Sequence, residues 1–197
     1  SRLRRCTYHT SRLLLFFLPT ALLFTSFGKI EPSSYSRGMH SKFFDPILDA
    51  VRETSTLLNP YFGNVEVIKN KGTFGNDIVT ELDFKAEDFL RERFKSIDPS
   101  IGFYGEERGK TGNEERFWLV DPIDGTAHFE RGIPFCTTMV ALVDKGEIVF
   151  SVINNFSQNL LYTAEKGAGA FCNGEKLHIS GRKREEAYVF YEINLDI

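Results

Sequence analysis

The chain has 197 residues, 42% hydrophobic and 14% aromatic, enough for one packed domain or one domain and part of another. Residues 1–38 carry six basic side chains against Glu31 alone, which leaves 18 basic and 26 acidic residues beyond them, a net of −8. That balance argues against nucleic acid as a partner, because phosphate backbones are held by Lys and Arg, but admits a small phosphorylated substrate whose charge is met by bound metal.

Arg2, Arg4 and Arg5 precede an apolar stretch from Leu13 to Phe27 that Pro19 interrupts. A signal peptide has this order of basic and apolar regions. A membrane anchor needs about 20 apolar residues, more than this stretch supplies, so no membrane partner is expected. The first methionine is Met39, and a well-patterned globular sequence follows it directly. Residues 1–38 are therefore read first as over-extended translation and second as a cleaved targeting segment. Cys6, Cys136 and Cys172 are far apart with no CxxC spacing, which fits reduced thiols in a cytoplasmic protein.

From Ser41, a candidate cap, a helix is predicted to about Leu58, with Phe43, Phe44, Ile47, Leu48 and Val51 on one face and Asn59-Pro60 ending it. Val65–Lys69 reads as a short strand and 71–77 as a loop. A second helix is predicted from about Asp83 to Ile97, capped by Thr80 or Asp83, with Leu82, Ala86, Phe89, Leu90, Phe94 and Ile97 as its apolar stripe. Ile101–Tyr104 is a strand ending in Gly105-Glu106-Glu107. A polar, mobile loop is predicted over Arg108–Glu115, and a strand over Phe117–Val120. Beyond Pro134 the pattern is β: Phe135–Val143, Glu147–Asn154, Leu160–Ala164 and Gly169–Phe171, with hairpin turns at Asp144-Lys145-Gly146 and Asn173-Gly174. Helix, helix, then antiparallel meander indicates an α+β fold with helices packed on an antiparallel sheet.

The run Asp121-Pro122-Ile123-Asp124-Gly125-Thr126 leaves the end of that predicted Phe117–Val120 strand. Asp121 and Asp124 form a clamp for hard cations, and Pro122 fixes the turn so that the Ile123 carbonyl can serve as a further oxygen ligand. Mg²⁺ suits such donors. Gly125 lacks a Cβ, so an anion can approach its N–H, and Thr126 adds an N–H and a hydroxyl. Cation and anion side by side suggest metal-assisted phosphate chemistry. Asp, Pro and Gly are also the residues of an ordinary surface turn. Glu106 and Glu107 equally fit a solvated loop, and Asp83 a helix cap.

Three ordered stretches, Asn76–Asp83, Gly105–Glu107 and Trp118–Thr126, resemble the inositol monophosphatase family of Mg²⁺-dependent, lithium-sensitive phosphatases; Phe129, Pro134-Phe135 and Glu165–Gly174 extend the likeness. The resemblance implies a layered sugar-phosphatase-like fold and hydrolysis of a small phosphate monoester, inositol monophosphate by default. Fructose-1,6-bisphosphate, adenosine 3′,5′-bisphosphate and histidinol phosphate are the family's alternatives; a non-catalytic metal- or phosphate-binding remnant is the alternative outside it. It implies a first Mg²⁺ on Glu106, Asp121 and the Ile123 carbonyl, a second on Asp121 and Asp124, and a third, water-rich ion near Glu106. The N–H groups of Gly125 and Thr126 would hold phosphate, and the Thr126 hydroxyl, oriented by Asp83, would position the attacking water. Glu107 is not taken as a ligand. Lys71 matches a basic residue of the family's mobile loop, and His128 is read as a loop residue where many relatives have asparagine.

The family's second signature, of the form Trp-Asp-x-Ala-Ala, is not found: the only tryptophan is Trp118, and Asp196 lacks the context. The expected organisation is therefore a metal-binding α+β domain over 39–185 and a truncated start of a C-terminal domain over 186–197. The isolated chain would be weakly active or inactive, and the full-length protein a homodimer.

Overall fold

The computed structural model describes residues 42–70, 78–181 and 183–186. Ser41, Lys71 with its loop, residues 1–38 and nearly all of 186–197 lie outside the described residues. The described residues from Lys42 through Leu177 belong to one compact unit. The described residues from His178 onward belong to another; His178–Gly181 are exposed, and a single 3-10 turn covers Arg184–Glu186.

Helix α1 spans Asp45–Leu58, with Pro46 in its first turn, where a missing N–H costs nothing. Ile47, Leu48, Ala50, Val51 and Leu58 form its buried stripe. Phe43 departs from the expected stripe: it sits in a 3-10 turn before the helix and is 37% exposed, while Phe44 turns inward and stacks on Phe150. Helix α2 covers Glu81–Ile97, starting two residues earlier than predicted, and buries Leu82, Ala86, Leu90 and Phe94.

A two-stranded antiparallel sheet pairs β1 (Val67–Asn70) with β2 (Ile78–Thr80). The main sheet has eight strands: β3 (Gly102–Gly105), β4 (Gly109–Thr111), β5 (Arg116–Asp124), β6 (Thr137–Asp144), β7 (Glu147–Asn155), β8 (Leu160–Glu165), β9 (Gly169–Cys172) and β10 (Glu175–Lys176). Their order is β10-β9-β8-β7-β6-β5-β3-β4. The two tight hairpins form where expected. Lys145 and Gly146 (φ 50° and 83°) join β6 to β7, and Asn173 and Gly174 (φ 47° and 90°) join β9 to β10. The α+β expectation is met, since α1 and α2 cover one sheet face through Phe44, Ile47, Leu90, Phe94, Trp118 and Val140. On the opposite face Tyr104, Phe117, Leu119, Met139, Ile153 and Tyr162 are only half-buried. Among the described residues no helix is long and apolar enough to cross a membrane.

Two departures matter for the site. The expected loop Arg108–Glu115 contains β4, an edge strand antiparallel to β3. Strands β3 and β5 are parallel, whereas every other pair in the main sheet is antiparallel. Strand β4 carries the chain back, and Gly112–Glu115 then crosses the start of β3 to reach β5. A Cβ at Gly102 would overlap the Asn113 backbone, and one at Gly112 would lie 3.2 Å from the Gly102 Cα. Gly102→Ala is therefore expected to lower stability by about 1–3 kcal/mol through overpacking. Urea denaturation measures this; an unchanged midpoint would mean that the crossing is not tight.

Candidate active site

Parallel pairing places Gly105 opposite Val120, and the Glu106 N–H donates to the Val120 carbonyl at 3.1 Å. Glu106 and Asp121 therefore leave the same sheet end side by side. The β5–β6 ladder breaks between Asp121 and Asp124, where Pro122 has no N–H to donate. Thr138 Oγ1 donates to the Pro122 carbonyl instead, at 2.9 Å. The Ile123 side chain is buried with Leu58, Leu82, Phe129, Cys136 and Phe156, and its carbonyl accepts from Thr126 Oγ1 at 2.9 Å.

Gly125 bridges β5 and the short helix α3, Thr126–Glu130, with φ 82°. A Cβ there would come within 2.8 Å of the Phe135 carbonyl and 3.3 Å of His128 Nδ1. His128, expected in a loop, is on α3, as are Ala127, Phe129 and Glu130. This helix is held by Phe129, fully buried against Phe62 and Phe156. The first N–H groups of a helix have no intrahelical partner, which suits Gly125 and Thr126 to an anion.

Asp83 reaches the same place from α2. Thr80 caps that helix, its Oγ1 accepting from the Leu82 N–H at 3.2 Å. Asp83 Oδ2 accepts from the Thr80 N–H at 2.8 Å and from Thr80 Oγ1 at 2.6 Å. Thr80 and Asp83 thus share the capping role as a capping box. The other oxygen, Oδ1, lies 3.0 Å from Thr126 Oγ1. A hydroxyl carries one proton, so Thr126 serves either Asp83 or the Ile123 carbonyl at a time.

Burial pushes the Asp83 carboxyl up, opposed by hydrogen bonds from Thr80 and Thr126. Asp121 is driven well above the ordinary carboxylate range by burial first, then by the charges of Glu106 and Asp124. Burial and Glu106 also raise Asp124, with His128 opposing. Asp121 Oδ1 is buried without a hydrogen-bond partner. Among the described residues no three His, Cys, Asp or Glu side chains form a ready-made metal cluster. What the site holds is carboxylate repulsion and an unpartnered oxygen, which a hard cation would relieve. The Cys136 thiol is pushed up to about 12 by burial and the Asp124 charge, so it stays protonated and is no nucleophile.

The structure thus brings Glu106, Asp121, Ile123, Asp124, Gly125, Thr126 and Asp83 to one end of the sheet. One residue that sequence reading passed over joins them: Glu87, fully buried, accepts from the Glu107 N–H at 2.7 Å. Its signal was a carboxylate one turn after Asp83, within the apolar stripe of α2.

The profile of the inositol monophosphatase family matches residues 40–196. The chain belongs to that family. An inositol-1-monophosphatase of Mesorhizobium japonicum is 36% identical over 144 residues, which make up 72% of this chain and 54% of that protein. A fructose-1,6-bisphosphatase/inositol-1-monophosphatase of Thermotoga maritima is 35% identical over 130 residues, 66% of this chain and 50% of that one. Among solved structures, the extragenic suppressor protein suhB of Bartonella henselae aligns with TM-score 0.66 and 34% identity over 72% of this chain and 55% of that chain. The chain spans about half the length of these family relatives.

The raised carboxyl values carry a sign. The folded, metal-free chain keeps protons that the unfolded chain releases. Stability from this source is complete below about pH 4, the ordinary carboxylate range, and is lost as pH rises through the elevated folded values. Metal-free protein is expected to melt lower at neutral pH than in mild acid. Asp121→Asn should raise that neutral-pH Tm and flatten the dependence. A lower neutral Tm for Asp121→Asn, read by circular dichroism in chelator, would show that burying the Asp121 charge beside Glu106 and Asp124 does not limit stability.

Proposed function

We propose that this chain is the metal-binding part of a Mg²⁺-dependent phosphatase that hydrolyses a small phosphate monoester. The observation that carries the reading is the unpartnered Asp121 Oδ1 among Glu106 and Asp124, beside the Thr126–Asp83 pair. Glu106, Asp121 and the Ile123 carbonyl would hold one ion, and Asp121 with Asp124 a second. Bound Mg²⁺ supplies Lewis acidity toward phosphoryl and water oxygens. Were the Ile123 carbonyl taken up as a metal ligand, the Thr126 hydroxyl would donate its hydrogen bond to Asp83, leaving its lone pairs to accept from the attacking water. The Gly125 and Thr126 N–H groups receive charge that grows on the phosphate oxygens. Asp121 and Asp124, both raised by burial and then by the charge of Glu106, are costly to keep ionised until a cation neutralises them, which favours metal binding over an ordinary turn.

Inositol monophosphate is the default substrate. Fructose-1,6-bisphosphate is the second, in keeping with the double name of the Thermotoga maritima relative. The thiols of Cys136 and Cys172 are free, which suits a cytoplasmic protein, and a homodimer is the assembly proposed for the full-length product.

Phosphate release by the gene's full native product, assayed with inositol monophosphate and with fructose-1,6-bisphosphate across a Mg²⁺ titration, tests this. Asp124→Asn should abolish Mg²⁺-dependent turnover. Thr126→Ala should lower kcat by roughly 10²–10⁴-fold with little change in KM. A product that binds Mg²⁺ yet hydrolyses no monoester would replace the enzyme reading with a binding one.

A further inference from the structure

Glu87 lies on α2 one turn beyond Asp83 and is 0% exposed. Its Oε2 accepts from the Glu107 N–H at 2.7 Å, and its Oε1 accepts from the Arg108 N–H at 3.1 Å. Arg91, a further turn along, donates to Oε1 at 2.6 Å. The Arg91 guanidinium also donates to the Gly109 carbonyl at 3.2 Å and to Thr111 Oγ1 at 2.7 Å, and it lies 4.3 Å above the Phe103 ring. The pair thus straps the whole β3–β4 turn to the helix. A buried carboxylate is tolerated because its oxygens are met by two backbone donors and a guanidinium. Gly105 completes the fit: a Cβ at that position would overlap the Glu87 carboxyl group.

We propose that Glu87 is the positioning residue for Glu106, its carboxylate fixing the Gly105–Arg108 turn against α2 so that Glu106 meets Asp121. The proposal rests on the reading of Glu106 as a metal ligand. Glu106 is exposed and follows the last residue of its strand, so sheet pairing alone leaves its backbone hinged on one side. The Glu107 and Arg108 N–H groups supply the other side of the hinge. Because Asp83 and Glu87 are four apart on one helix, they share a face. The Thr126 hydroxyl and the Glu106 turn are therefore gauged from the same rigid element.

Glu87→Gln keeps the shape but places an NH₂ where one carboxylate oxygen accepts, so a donor faces a donor. Glu87→Asp keeps the charge and withdraws it by one methylene. Asp88→Asn is the control: it makes the same charge change at the next residue, whose carboxylate binds the exposed Arg108 side chain. Mn²⁺ is the probe, read by electron paramagnetic resonance on the full native product, together with amide exchange of Glu107 and Arg108 in the metal-free state. Both Glu87 variants are expected to weaken Mn²⁺ binding about 10-fold and to speed exchange at those two amides. The Mg²⁺ needed for half-maximal activity should rise while kcat at saturating Mg²⁺ recovers. Asp88→Asn should leave all of these unchanged. Wild-type Mn²⁺ binding that both Glu87 variants retain in full overturns this proposal alone. A wild-type product that binds no Mn²⁺ overturns both this proposal and the phosphatase reading.

Discussion

The parallel pairing of β3 with β5 is the constraint on which the rest of this structure depends. Two parallel strands end at the same edge of a sheet, so the residues that follow Gly105 and Val120 emerge together. In an antiparallel pair Glu106 and Asp121 would sit at opposite ends. Parallel neighbours ordinarily need a long crossover. Here β4 supplies the return, and glycines at 102 and 112 let the chain pass close beneath β3. The reward of that route is a set of carboxylates held within electrostatic reach of one another; its cost is their burial and then their repulsion, visible in the raised Asp121 and Asp124 carboxyls.

Helix α2 gives the site its rigidity. Asp83 stands in the first helical turn, where exposed N–H groups favour negative charge. Its second oxygen is saturated by Thr80, which leaves the first free for Thr126. One residue therefore starts the helix and orients a hydroxyl 43 positions away in the chain. A single carboxylate can serve both purposes because each oxygen has its own partners.

The candidate site residues were more legible in the sequence than the scaffold that gathers them. Asp121–Thr126, Glu106 and Asp83 could be picked out as candidates because their residue types are few and their order is specific. The hairpins at Lys145-Gly146 and Asn173-Gly174 could be read because positive φ favours Gly and Asn. Strand β4 could not: Gly109-Lys110-Thr111 has no β periodicity, and its extended form comes from pairing with β3 and from Arg91 holding its ends. Helix α3 is five residues long, too short for a 3.6-residue period to show, and depends on Gly125 before it and Phe129 within it. Glu87 was hidden by the habit of tracing a helix face through its apolar members. A charge inside such a stripe becomes intelligible only once the backbone donors of a distant turn are seen against it.

Those two modes of legibility reflect two kinds of physical demand. A ligand set is specified by side-chain chemistry, which a sequence carries openly. Its geometry is specified by backbone donors and close approaches, at Gly102, Gly105 and Gly125, where the informative feature is a missing side chain. A Cβ at each would strike something different: the Asn113 backbone, the Glu87 carboxyl, the Phe135 carbonyl. The three contacts fix, in turn, the crossing that makes β3 and β5 parallel, the turn that presents Glu106, and the bend that presents Thr126. A cation that binds only the folded chain would draw on all three at once, and by mass action its binding energy would appear as stability of the fold. The same carboxylates that burden the metal-free chain would then tie its helix, sheet and turn together.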